Sequence, residues 1–162
     1  MTLYYAEGDA KASLGVDDVR QALQQTFAAL EQTASRTRVL ALPPDFTRYH
    51  SQAGMITCHL EEMLGERLTD VMPALGTHVP MPEEQCAKMF PTVPFGKIRP
   101  HLWRDDVVTI GVVDAEFVSE ATEGIYQEPW PAQLNRLVWD GGHDLIVSIG
   151  QVVPHEVIGM AN

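Results

Sequence analysis

The chain has 162 residues, 45% of them hydrophobic and 20% charged, a globular composition with enough apolar material for one ordinary domain. Eleven Lys and Arg stand against 22 Asp and Glu, a formal charge of −11. That balance excludes a general binder of nucleic acid or of anionic membrane, because phosphate neutralisation needs a basic face. Cys58 and Cys86 fit neither a zinc-finger spacing nor a disulfide framework, so a reducing compartment is expected. The opening MTLYYAEGDA lacks the basic start and apolar core of a secretory signal. No apolar run approaches the length of a membrane span, so the expected location is the cytoplasm.

In chain order, Leu3 to Tyr5 reads as a short first strand. Asp17 and Asp18 offer a cap and negative charge at a helix start, and Val19, Leu23, Phe27 and Leu30 continue as one apolar stripe. Thr37 to Leu42 is an apolar run that stops at Pro43-Pro44, as a buried strand does. A polar loop, Asp45 to Gly54, leads into a helix from about Ala53 to Gly65 with Ile56, Leu60, Met63 and Leu64 on one face. Asp70 to Leu75 reads as another strand, broken by Gly76-Thr77-His78. Met81 to Met89 reads as a short helix with Pro82 and two Glu in its first turn. The region around 90–128 reads as an inserted irregular or β-hairpin segment, with Val107 to Val113 rich in β-branched residues. Gln133 to Leu137 reads as a strand, and Asp144 to Ile149 is the strongest strand signal of all.

Strands alternating with helices predict an α/β fold. The expected arrangement is a mainly parallel sheet with helices on both faces, in Rossmann- or flavodoxin-like three layers, over residues 1–162 as a single domain. Ligands of such sheets bind outside the carboxyl ends of the strands. Three polar clusters fall there: Asp45, Thr47 and Arg48; Thr77 and His78; and His155, preceded by Pro154 and followed by Glu156.

The planar fork of Arg48, beside an acid and a hydroxyl, suits a carboxylate or phosphate. The same cluster also reads as an Asp-capped turn with a surface Arg. His78 on a tight strand-end turn suits acid–base work near neutral pH, or simply a turn hydrogen bond. His155 has the same two readings, with Pro154 stiffening its approach. His50 lies in the Arg48 loop. His59 reads as a flank residue of the second helix, and His101 and His143 as loop histidines. The sequence has no zincin helix, phosphate-binding glycine loop or nucleophile elbow.

Taken together and in order, Asp45-Phe46-Thr47-Arg48, Gly76-Thr77-His78-Val79-Pro80-Met81, Asn135-Arg136, Asp144 with Ile149-Gly150, and Pro154-His155 resemble the amino-terminal domain of the lactate racemase family. These enzymes use a nickel-pincer nucleotide. The resemblance runs from about Arg38 to Asn162 and is faintest between Phe90 and Glu128. It implies a 2-hydroxy acid racemase or epimerase in which His78 and His155 are the acid–base pair and Arg48 binds the substrate carboxylate. Asp45 and Thr47 would belong to the substrate or cofactor-phosphate shell. In the family a Lys that tethers the cofactor and a nickel-binding His follow the second His, and a carboxy-terminal domain closes the cleft. Both of those residues would lie beyond Asn162, so this chain is expected to be part of a longer two-domain enzyme and inactive alone. The partners implied are a small 2-hydroxy acid and that second domain. Two other functions stay open: a stand-alone binding or subunit protein on the same fold, and a hydrolase holding one metal ion with Asp45, His78 and His155.

Overall fold

The computed structural model describes residues 2–76, 78–155 and 159–161; Thr77 and Glu156, both singled out above, lie outside the described residues. The chain divides into two compact units, one running to Pro100 and resuming at His143, the other His101–Gly142. The irregular or hairpin segment expected around 90–128 overlaps the second unit, 101–142.

Leu3 to Tyr5 forms no strand. The segment has no regular structure, and Leu3 is 76% exposed. Its β-prone composition finds no strand partner among the described residues, and composition alone does not hold a strand. Helix α1 (Val16–Glu31) begins one residue after its cap Gly15, whose N–H donates to the Asp18 carboxylate at 2.7 Å. Asp18 therefore acts from inside the first turn rather than as the cap itself. The expected stripe turns inward: Phe27 is buried and Leu23 packs on the core.

Strand β1 (Val39–Leu42) has Val39, Leu40 and Ala41 fully buried, as a central strand of a parallel sheet requires. A 3-10 turn (Phe46–Ser51) and helix α2 (Ala53–Leu64) lead on to strand β2 (Leu68–Val71). β2 ends before Pro73, which has no N–H for a ladder. Helix α3 (Glu83–Met89) starts after Pro82, with Glu83 and Glu84 in its first turn. Leu60, Leu64, Leu68, Val71, Met89, Phe90 and Val93 complete the core with β1.

The second unit is a hairpin with two short helices. Strand β3 (Val107–Val113) precedes helix α4 (Ala115–Ala121) and pairs antiparallel with strand β4 (Trp130–Asn135), after which helix α5 (Arg136–Asp140) follows. The strand expected at Gln133 to Leu137 is therefore the end of β4 and the start of α5. The switch occurs at Asn135, whose side-chain oxygen accepts the Leu137 N–H at 2.8 Å and caps the helix.

Strand β5 (Leu145–Ser148) returns to the first unit and lies parallel to β1, giving the sheet order β2-β1-β5. Asp144 secures its start: the carboxylate accepts the Thr37 N–H and hydroxyl at 2.8 Å and the Arg38 N–H at 3.1 Å. A small antiparallel pair, β6 (Val153–His155) with β7 (Gly159–Ala161), follows. The fold is mixed α/β around a three-stranded parallel sheet. Among the described residues no helix is long and apolar enough to cross a membrane.

Candidate functional site

The three sheet strands are parallel, so the segments after β1, β2 and β5 all leave from one edge. The β1–β2 pairing continues past both strands. The Ala74 N–H donates to the Pro43 carbonyl at 2.7 Å, and Pro44 bridges Ala74. Pro43 is tolerated because the ladder asks it only for a carbonyl. This extension carries Asp45 and the turn after Leu75 to the same place. A crevice of about 440 Å³ opens there, lined by Asp45, Thr47, Arg48, His78 and His155, with Ser51 and Gln151 beside them and Leu42, Leu75 and Ile149 as apolar wall. Asp45, Thr47, Arg48, His78 and His155 thus line one concave surface.

Asp45 sits at the centre of the polar half, 6% exposed. One carboxylate oxygen accepts the Thr47 N–H at 3.0 Å and the Thr47 hydroxyl, which caps the 3-10 turn. The other lies 2.7 Å from His78 Nδ1. Burial pushes the Asp45 carboxyl up, but the bonds from Thr47 and His78 outweigh it and hold it below the ordinary carboxylate value. Its neighbour His78 is open to the crevice, with its side chain 58% exposed.

Arg48 stands where the 3-10 turn bends, at φ −103 and ψ 27, and its side chain is exposed. It forms no ion pair among the described residues, while its N–H closes the turn onto the Asp45 carbonyl at 3.0 Å. The turn is held from outside. The Phe46 and Tyr49 rings lie 5.2 Å apart, and Lys88 Nζ of α3 stands 5.6 Å from each centroid, within cation–π range. His155 is the last residue of β6, opposite Gly159, and is half-buried.

Other residues of the sequence pattern lie elsewhere. Asp144 ties the amino edge of the sheet, the far end from the crevice. Asn135 and Arg136 belong to the second unit, where Asn135 donates to His101 Nδ1 at 3.1 Å and Arg136 approaches Asp106 and Asp140. His50 is exposed on the Arg48 turn. His59, expected on a helix flank, is buried with 6% exposure.

A second polar group escaped the sequence reading. Asp70 in β2 accepts from Arg99 Nε at 2.7 Å and lies 3.0 Å from Nε2 of His143, whose side chain is only 1% exposed. Burial raises the Asp70 carboxyl, but Arg99 and His143 overcome it and leave it below its usual value. No local signal marks this trio, because the partners of Asp70 are 29 and 73 positions away in sequence. Among the described residues, no three His, Cys, Asp or Glu side chains converge to hold a metal ion. Cys58 and Cys86 are buried free thiols.

The chain matches no protein-family model and no curated protein. A crystal structure of a protein from Thermotoga maritima shares the fold with a TM-score of 0.77 and 28% identity, over 96% of this chain and 37% of that one. This chain therefore spans little more than a third of the length of that solved protein.

Proposed function

We propose that this chain is the amino-terminal catalytic part of a lactate racemase-like 2-hydroxy acid racemase or epimerase. The observation that carries the reading is the meeting of Arg48, His78 and His155 in one crevice at the carboxyl edge of a parallel sheet. A 2-hydroxy acid offers a carboxylate and, one carbon away, a hydroxyl. The Arg48 fork meets the carboxylate with two parallel N–H donors. One imidazole takes the hydroxyl proton of one enantiomer, and the other serves the opposite enantiomer, since a symmetric reaction needs a base for each hand. The apolar wall of Leu42, Leu75 and Ile149 accommodates the rest of the substrate.

The nickel-pincer nucleotide implied by the resemblance would supply the hydride acceptor. Among the described residues no Lys lines the crevice and no metal-ligand cluster forms. The residues of this chain thus do not fit the tether and metal site of that group. Their work is to bind the acid and to move its hydroxyl proton. The greater length of the Thermotoga maritima relative leaves room for further polypeptide to carry the rest. The buried free thiols Cys58 and Cys86 fit a cytoplasmic setting. A single-ion hydrolase is the poorer reading, because among the described residues no three His, Cys, Asp or Glu side chains converge to hold an ion.

The test is enantiomer interconversion by the full-length enzyme. His78→Ala and His155→Ala should each lower the rate at least about a hundredfold, the lower range for general acid–base catalysis. Near-normal interconversion by either variant would remove that histidine from the mechanism.

A further inference from the structure

We infer that Asp45 is a positioning residue that fixes the His78 imidazole as its Nδ1–H tautomer, leaving Nε2 to accept a proton in the crevice. Three observations carry this. Asp45 is 6% exposed, so its carboxylate has few orientations open to it. Its first oxygen is held by the Thr47 N–H and hydroxyl, which aims the second at the ring. That second oxygen lies 2.7 Å from His78 Nδ1. An ionised carboxylate only accepts hydrogen bonds, so the proton of this bond belongs to Nδ1. The lone pair of a neutral imidazole then lies on Nε2, the atom a base must offer.

The arrangement also argues against Asp45 as a direct contact for an anionic ligand. A carboxylate already holding three donors repels another carboxylate or a phosphate. Arg48, three residues on, is the permanent cation of the turn and the better partner. Asp45 thus serves both ends of the site: it caps the turn that carries Arg48 and orients the base across from it. The catalytic consequence rests on the racemase reading, whereas the tautomer does not.

The test is 15N NMR of the imidazole in the 162-residue chain near neutral pH, with His78 assigned by its loss in His78→Gln. The native ring should carry its proton on Nδ1. Asp45→Asn keeps an N-cap acceptor for Thr47 and so retains the turn. Its amide, however, presents an N–H to Nδ1, and the ring proton should move to Nε2. In the full-length enzyme the same variant should lower kcat at least about a hundredfold with little change in KM. A native ring with its proton on Nε2, or a tautomer unmoved by Asp45→Asn, would overturn the inference. The native spectrum decides the first point even if Asp45→Asn does not fold. A tautomer that switches without loss of rate would uphold the dyad and instead refute the racemase reading.

Discussion

Gly54 shows how narrowly the turn is placed at the level of one residue. It stands in the first turn of α2, just after the 3-10 turn of Thr47 and Arg48, and a Cβ there would overlap the backbone carbonyl of Met89. Backbone cannot swing aside as a side-chain end can. Gly54→Ala should therefore destabilise the fold by about 1–3 kcal/mol, the range for overpacking, read as a lower urea midpoint. The candidate residues were legible because each follows an apolar run closed by Pro or Gly, which marks a strand end in the sequence itself. Their pairing was not. Asp45 and His78 are 33 positions apart, and only the parallel register of β1 and β2 brings them together. Nothing local in the sequence shows that the Asp45 carboxylate meets the His78 ring.

At the level of elements, the parallel sheet was readable from buried apolar runs, and the failures have physical causes. Leu3 to Tyr5 has strand composition but no strand partner among the described residues. The strand signal at Gln133 was real but belongs to a hairpin, where its partner is β3. Asp70 illustrates what element packing adds. It sits within β2 and joins Arg99 to His143, the two segments that flank the second unit. Asp70→Ala would leave the buried His143 without its acceptor and Arg99 without its counter-charge. Hydrogen bonds to charged groups contribute about 1.5–3 kcal/mol each, and a loss of at least about 2 kcal/mol is expected in chemical denaturation. Asp70→Asn, which keeps an acceptor oxygen, should lose less.

The two units differ in how acid reaches them. Asp45 and Asp70 in the first unit are held below the ordinary carboxylate value by their partners after burial is overcome. Between their folded and unfolded values the unfolded chain binds the extra protons. Stability is therefore fully present above about pH 4 and is lost as pH falls through the folded values. In the second unit, burial pushes the His101 imidazole down, partly offset by Asp106. Its Nδ1 also accepts from Asn135, which favours the neutral ring. That contribution is present above about pH 6.5, the unperturbed histidine value, and declines as pH falls through the folded value. Hydrogen exchange followed from pH 7 to pH 3 should show residues 101–142 loosening first and the parallel sheet only below about pH 4. His101→Phe should remove the early phase.

The crevice is tested most directly as a 2-hydroxy acid site by titrating this chain with such an acid, lactate for example, followed by NMR. Shifts should be confined to Arg48, His78, His155 and the crevice wall and be lost in Arg48→Ala, without interconversion of the enantiomers by this chain alone. Shifts centred elsewhere, or binding unchanged in Arg48→Ala, would contradict that role.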